Sequence, residues 1–209
     1  VGVVVGPVGT AFGLGLDRAG QLRAAYPWVL WLLPLGGLLI VFLYRAAGQP
    51  DGGSTNSVFM AVRENRVMPF RTAPLIFLST ILTHLLGGSA GREGAALQLG
   101  GSISGTIGQL LRLDDKDCRV MTMCGMSAAF AAVFGTPLAA AVFTMEVISV
   151  GAIRYNAFLP CIIASYSAFV TAGLWGVKPL VFTLVNEIPE LSTASFLQVT
   201  GLAALCGLV

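Results

Sequence analysis

Glu93 is the residue of this chain best placed to carry chemistry, because it is a carboxylate set between two apolar segments. It follows a glycine-rich run, GGSAG at 87–91, and precedes an apolar helix predicted to begin near Gly94. A helix N-terminus offers free N–H groups and a partial positive charge, so it can hold a carboxylate or an anion that competes with it. A side chain that binds there when ionised and leaves when protonated is a proton-coupled gate. The alternative is an Arg92–Glu93 ion pair that only joins two helices.

A second cluster of polar residues, STNS at 54–57, stands just before a short mixed segment at 58–67. The segment is too short to cross a bilayer, so we interpret it as a half-length helix. Small polar side chains and backbone N–H groups at its start can coordinate a small anion. The alternative is an ordinary N-cap before Val58, and one residue can serve in both ways.

Glu146 is another carboxylate in apolar sequence, in the segment that follows Pro137. It either takes part in proton movement or is a helix carboxylate hydrogen-bonded near an interface. Aromatic side chains raise a similar choice, because they either line a pathway or pack helices together. Four phenylalanines belong to this group: Phe59, Phe130, Phe134 and Phe143.

The glycine-rich run also matches the G-x-S-x-G pattern of serine hydrolases, with Ser89 at its centre. A serine nucleophile needs a general base, which is usually a histidine. The only histidine is His84, five residues upstream on the preceding predicted helix. We therefore interpret His84 as a helix residue with a hydrogen-bond partner, and the sequence does not favour an enzyme.

The composition of the chain is that of a membrane protein. Hydrophobic residues make up 56% of the 209 residues and charged residues 11%, against about 25% in soluble domains. The mean hydropathy is +0.83, and several uncharged runs approach the roughly 20 residues that a helix needs to cross hydrocarbon. The basic residues are scattered, so a nucleic-acid partner is not indicated. We predict an all-α integral membrane protein.

The predicted spans are short and repeatedly interrupted. A polar turn is predicted at 17–26, and polar loops are predicted at 114–119 and 178–193. The proline of GTP at 135–137 ends one helix and begins the next. Helices broken in this way are typical of transporter folds that bind substrate near the bilayer midplane. The predicted helices are 1–16, 27–44, 58–67, 72–86, 94–111, two within 121–150, 155–177 and a last one from Ala194.

Two motifs resemble the signatures of the chloride-channel (CLC) superfamily. GGSAGREG at 87–94, followed by Gln98 and Gly100, resembles its G-x-x-x-G-R-E-G-P signature. GMSAAFAAVFGTPL at 125–138 resembles its second signature, and FTME at 143–146 fits the helix that follows. The resemblance implies a CLC-type inverted-repeat transporter fold. This chain would be the N-terminal repeat of that fold, with tilted and half-length helices.

Within that superfamily the chain is similar to the fluoride/proton antiporter branch. Chloride-handling members carry G-S-G-I-P where this chain has GSTNS at 53–57, and a proline where it has Ala95. Chloride/proton exchangers have a second glutamate where this chain has Val147. Members of the fluoride branch resemble this chain in the NS pair at 56–57 and the THL run at 83–85.

The resemblance implies roles for residues in both polar clusters. Glu93 corresponds to the gating glutamate, which occupies the anion path when charged, moves aside when protonated and carries the proton. Asn56 corresponds to the central anion ligand, with Ser54 and Thr55 as alternative registers, and Phe59 to a pathway aromatic. The expected anion-binding residues are Asn56, Ser54, Thr55, Ser57, Phe59, Gly91, Arg92 and Gly94.

The implied function is a proton-coupled antiporter that exports fluoride in exchange for protons. The alternative is a CLC-type chloride channel or chloride/proton exchanger. The resemblance further implies a homodimer in a lipid bilayer, the bacterial inner membrane, without a cofactor, a metal or a nucleic acid. Both ends of the chain lie in apolar runs, so we expect one transmembrane domain, 1–209, that is a fragment lacking the C-terminal repeat.

Overall fold

The structure, a computed structural model, describes residues 1–49, 55–64, 68–148, 155–176 and 192–208. The described residues are helical apart from short connections, and no strand occurs among them. The chain forms two compact units, Val1–Pro179 and Leu180–Val209. The first unit contains α1 (Gly2–Ala25), a 3₁₀ segment (Pro27–Leu32), α2 (Leu33–Ala46), α3 (Thr55–Glu64), α4 (Thr72–Leu85), α5 (Arg92–Leu110), α6 (Asp115–Phe134), α7 (Pro137–Ile148) and α8 (Tyr155–Leu174). The second unit contains α9 (Thr193–Leu208).

Glycine and proline end the helices where the sequence predicts breaks. Gly87 has φ +82°, a left-handed conformation that favours glycine. Its N–H donates to the His84 carbonyl at 3.2 Å and closes the end of α4. Gly135 has φ +71° and ends α6 in the same way, and Pro137 is the first residue of α7. The predicted division of 121–150 into two helices is confirmed.

Two predicted polar connections are wrong, because both stretches are largely helical. Residues 17–25 continue α1, and the Tyr26 N–H donates to the Leu22 carbonyl at its end. Their alanine, leucine, arginine and glutamine residues are good helix formers, so polarity alone does not break the helix. Helix α6 begins at Asp115, inside the predicted loop. The predicted loop at 178–193 lies mostly outside the described residues, and the single domain 1–209 stays a prediction.

Small residues allow the central helices of the first unit to approach closely. Helices α5 and α6 cross at Gly100 and Gly125, where a Cβ on either residue would overlap the backbone of the other helix. Gly6 of α1 lies equally close to α8. As a result α5 and α6 form much of the core, and Leu97 and Met126 are almost fully buried there. The candidate site residues of α5 are therefore carried on a helix that packs closely in the core.

Six helical segments among the described residues are apolar enough to be considered as membrane spans. Three of them are also long enough: Pro27–Ala46, Asp115–Phe134 and Tyr155–Leu174. Three more are apolar but shorter: Thr72–Leu85, Pro137–Ile148 and Thr193–Gly207. This mixture of full and partial spans agrees with the predicted interrupted membrane fold.

Candidate anion site

Glu93 lies in the first turn of α5, which begins directly after the glycine-rich run. Gly91 is the N-cap residue, with φ −71° and ψ 141°, and it has no side chain to accept a hydrogen bond from the first turn. Glu93 is exposed in the second position of the helix. Its carboxylate turns back over the N-cap, because a Cβ built on Gly91 would lie 3.0 Å from Glu93 Oε2. The carboxylate therefore lies beside the N–H groups that an anion would use.

The first turn of α3 meets the first turn of α5. Thr55, the first residue of α3, packs directly against the Cα of Gly94, and any side chain at Gly94 would overlap the Thr55 hydroxyl. Three residues further along α3, Val58 packs in the same way against Gly101. The two helices therefore run side by side in the same direction, with their N-termini at the same end. The partial positive charges of both helix N-termini therefore lie next to the same region, beside Thr55 and Gly94.

Gln98 ties the two helices together beneath that place. Its side chain is 2% exposed, and its Nε2 donates to Thr55 Oγ1 at 3.2 Å. A buried carboxamide needs such a partner, because an unpaired polar group in a low-dielectric interior is costly. Gln98 follows Gly94 by one helical turn, so it lies on the face of α5 that contacts α3.

Arg92 forms an ion pair with α1. Its Nη1 lies 3.8 Å from Asp17 Oδ1, and the two side chains are 43% and 62% exposed. Among the described residues Arg92 is not within salt-bridge distance of Glu93, so the alternative of an Arg92–Glu93 pair that joins two helices is not found. Arg23, also on α1, donates to the His84 carbonyl at 3.5 Å, near the end of α4. The C-terminal part of α1 thus holds both ends of the glycine-rich connection.

The other predicted anion ligands lie around the start of α3. Asn56 is exposed, and Ser57 and Phe59 are partly buried. Phe59 packs against the main core. Ser54 lies outside the described residues. The structure thus brings Thr55 beside Gly94 and near Glu93, while the anion-binding roles of all these residues stay predictions.

The remaining candidates from the sequence are Glu146, three phenylalanines and His84. Glu146 is exposed on α7. The Phe130 ring lies 4.4 Å from the Phe134 ring and 4.9 Å from the Phe143 ring, between centroids, so these three pack together. His84 Nδ1 lies 2.9 Å from the Thr80 carbonyl oxygen, to which it donates, and this confirms a helix residue with a hydrogen-bond partner.

Two contacts at the site were missed from the sequence. The sequence motif includes Gln98 without a role, although a carboxamide one turn after Gly94 in an apolar helix indicates that it meets a polar partner. Asp17 was assigned to a polar turn, and nothing in its local sequence indicates that it pairs with Arg92. Both contacts join residues that are distant in the chain, so only the tertiary structure reveals them.

The fold and the site define a membrane protein in which the N-termini of two helices lie side by side and one carries an ionisable carboxylate. The sequence profile described as voltage gated chloride channel matches residues 36–209. The chain belongs to this family, the CLC superfamily.

Two curated relatives show the range of proteins to which the chain is similar. The "Chloride/fluoride channel protein" of Pseudomonas syringae pv. tomato is 37% identical over 190 residues, which are 90% of this chain and 42% of that protein. The "H(+)/Cl(-) exchange transporter ClcA" of Citrobacter koseri is 32% identical over an alignment 215 residues long, gaps included, which covers 93% of this chain and 44% of that protein. The chain therefore spans less than half the length of these relatives.

Two solved structures are similar in fold. A CLC-type fluoride/proton antiporter superposes with a TM-score of 0.87 at 34% identity, over 99% of this chain and 52% of that one. A slow cyanobacterial Cl⁻/H⁺ antiporter superposes with a TM-score of 0.73 at 20% identity, over 94% of this chain and 50% of that one, and it shows the shared fold alone. The predicted all-α CLC-type fold and the resemblance to the fluoride branch are confirmed.

Proposed function

We propose that this chain serves in a proton-coupled antiporter that exports fluoride in exchange for protons. The observation that carries the proposal is the meeting of the first turns of α3 and α5, with Glu93 on one of them. A 34% identical solved structure described as a CLC-type fluoride/proton antiporter supports the choice of ion. The 37% identical chloride/fluoride channel protein supports it as well.

The exchange follows from competition for one set of donors. When Glu93 is ionised, its carboxylate occupies the N–H groups at the start of α5. When it takes a proton, its attraction to the helix N-terminus falls and the side chain leaves, so an anion can enter. The departing anion and the returning carboxylate exchange places, and Glu93 releases its proton on the other side. Proton movement and anion movement are thereby coupled through one side chain.

The ligands around α3 suit a small anion that holds its water tightly. Fluoride needs several close donors to replace its hydration shell. The Asn56 carboxamide supplies N–H donors, and the hydroxyls of Ser54, Thr55 or Ser57 supply O–H donors. The backbone N–H groups that follow Gly91 and those near Gly94 add the donors of the second helix, and Arg92 adds positive charge. Phe59 would line the path beside them.

The membrane setting and assembly are part of the same proposal. The relatives are bacterial, which supports the bacterial inner membrane as the location. A homodimer, with one pathway in each subunit, rests on the family resemblance. No enzymatic step is needed for the exchange.

The test is transport by the full-length gene product that contains this chain, reconstituted in liposomes. A fluoride-selective electrode follows fluoride efflux, a pH dye follows protons, and chloride-loaded liposomes run in parallel. We expect fluoride movement coupled to protons and faster than chloride movement. Glu93→Gln should abolish proton coupling, since an amide cannot carry the proton. Asp115→Asn is the matched control, because it removes an exposed carboxylate from α6 outside the candidate anion site and should leave coupling intact.

Two outcomes would contradict the proposal. Equal or faster chloride movement would remove the fluoride assignment and favour a chloride channel or a chloride/proton exchanger, the activity for which the Citrobacter koseri relative is named. Proton coupling that survives in Glu93→Gln would remove Glu93 from its gating role, whichever ion moves.

A further inference from the structure

A cavity at the start of α6 and α8 carries positive charge that the anion site does not use. Its volume is about 320 Å³, and it is lined by Lys116, Arg119, Val120, Met123 and Asn156. None of these residues belongs to the candidate anion site. The volume is at the lower end of the range in which proteins bind small molecules or headgroups, about 300–1,000 Å³.

The cavity is polar at its mouth and apolar at its floor. Lys116, Arg119, Val120 and Met123 recur at helical spacing, so they share one face of α6. Lys116 and Asn156 are exposed, whereas Met123 is 1% exposed. Donors thus surround the opening, and a thioether and a valine form the base. A group with a charged head and an apolar continuation fits this arrangement.

The Arg119 side chain has a donor that no described residue satisfies. Its Nε is buried and donates to no atom of the described part of the chain. A buried donor without an acceptor costs about 1–3 kcal/mol, and more when the group is charged. Arg63 shows the usual arrangement in the same molecule, because its Nε donates to the Ile148 carbonyl at the end of α7. Arg119 therefore presents a buried donor that no acceptor among the described residues meets, and this donor is available to a bound ligand.

We propose that this cavity binds the phosphate of an anionic phospholipid. A guanidinium, an ammonium and a carboxamide together offer the donors that phosphate oxygens require. Basic pockets between helices at the membrane surface are a recurring form of headgroup recognition. Arg119 lies one turn inside an apolar helix that is long enough to span the bilayer, so the cavity lies at headgroup depth. Val120 and Met123 then face the glycerol end of the acyl chains.

Acidic neighbours favour a lipid over a soluble anion. Asp114 and Asp117 lie on other faces of α6, whereas Asp115 lies one helical turn before Arg119 on the same side, and Asp114 accepts a hydrogen bond from the Asp117 N–H at 2.8 Å. Their charges repel an anion that approaches from water. A phospholipid is held at the membrane surface at high local concentration, so it binds where a dilute free anion does not.

The test measures lipid binding to the full-length gene product. The protein is purified in detergent and titrated with phosphatidylglycerol or with phosphatidylcholine, and bound lipid is counted by native mass spectrometry. A further titration uses inorganic phosphate, with the thermal unfolding midpoint as the readout. We expect phosphatidylglycerol to bind and to raise the unfolding midpoint, and inorganic phosphate to have little effect.

The variants Arg119→Gln and Lys116→Gln identify the site. Lys116→Gln, at an exposed position, should weaken phosphatidylglycerol binding about fivefold, as expected for one surface cation. Arg119→Gln should weaken it more than about tenfold, because a charge-assisted hydrogen bond is lost as well. Arg71→Gln is the matched control. Arg71 is exposed at the start of α4. Short connections join α4 to α5 and α5 to α6, so the starts of α4 and α6 lie on the same side of the membrane.

Three results would overturn the inference. Arg71→Gln that weakens lipid binding as much as Lys116→Gln would indicate general surface attraction instead of a site. Phosphatidylglycerol that binds no better than phosphatidylcholine would exclude recognition of an anionic headgroup. Inorganic phosphate that stabilises the wild type but not Arg119→Gln would make a free anion the ligand. None of these results depends on which ion the protein transports.

Discussion

Helices α5 and α6 begin with nearly the same N-cap backbone conformation, but different groups surround their first-turn N–H donors. The N-cap of α5, Gly91, has φ −71° and ψ 141°, and the N-cap of α6, Asp114, has φ −67° and ψ 169°. Asp114 accepts a hydrogen bond from the Asp117 N–H, so the start of α6 is satisfied by its own sequence. Gly91 offers no acceptor, and the start of α5 faces the Glu93 carboxylate instead. The start of α6 is capped by its own side chain, whereas the start of α5 has no side-chain cap.

Surroundings reinforce this difference. The start of α6 is exposed around Asp114 and Lys116. The start of α5 lies against Thr55 of α3, with Gln98 fixing that contact from below. The donors of α5 therefore belong to a site made by two helices. A helix start without a side-chain cap is a candidate binding place when a second helix start packs against it, as α3 does here.

Gly91→Asp should give α5 an aspartate cap like the one at the start of α6, and it has the largest expected effect on fluoride affinity. The backbone of Gly91 already suits a capping aspartate, and the nearest atom to a new Cβ is the flexible end of Glu93. A permanent carboxylate there would occupy the first-turn N–H groups. An anion at a helix N-terminus is stabilised by about 1–2 kcal/mol, so displacing it should weaken fluoride affinity about five- to thirtyfold.

Fluoride-concentration dependence of efflux from liposomes measures this effect, and Gly91→Ala is its matched control. Alanine adds the Cβ without the acceptor, so it should change affinity much less. Equal losses in both variants would mean that steric crowding, not competition for donors, explains the result.

Gln98→Met should loosen the contact between α3 and α5, and it has an intermediate expected effect on fluoride affinity. Methionine keeps the length of the side chain and removes the donor to Thr55 Oγ1. A hydrogen bond contributes about 0.5–1.5 kcal/mol, so the apparent fluoride affinity should fall about two- to tenfold with little change in maximal rate. Thr55→Val removes the same bond from the other end, and the double variant should be little worse than either single one.

Ser102→Ala provides the control for Gln98→Met. Ser102 is also buried on α5, and its hydroxyl donates to the Pro69 carbonyl at 2.8 Å, away from α3. Its loss should lower stability without changing fluoride affinity. A Gln98→Met protein that loses stability but keeps wild-type affinity would show that the bond is only structural.

Much of the fold could be predicted because its breaks are local. The glycine-rich run before Arg92 and the GTP motif at 135–137 end helices through backbone conformation alone. The polar stretches at 17–26 and 114–119 were assigned as connections, and this was wrong, since helices continue beyond the apolar part of a span. Polarity predicts where water is reached, and it does not predict where the helix ends.

The site could be predicted only in part, for a different reason. Glu93 follows from its own position, as a carboxylate in apolar sequence at a helix start. Its neighbourhood does not, because Gln98 and Thr55 are 43 residues apart and no periodicity links them. The family resemblance indicated that the two clusters belong together, and the structure supplies the contact between Thr55 and Gly94.

Asp114→Ala should have the smallest effect, and it tests the other side of the comparison. Losing an N-cap costs about 1 kcal/mol of stability, because the Asp117 N–H loses its acceptor. The start of α6 takes no part in the proposed exchange, so fluoride affinity and proton coupling should stay at wild-type values. Thermal unfolding in detergent and the liposome assay measure the two quantities on the same preparation. A loss of proton coupling in Asp114→Ala would mean that the starts of α5 and α6 are linked in function. Asp114→Ser, which keeps a capping oxygen but removes the charge, would then show whether the cap or the charge is responsible.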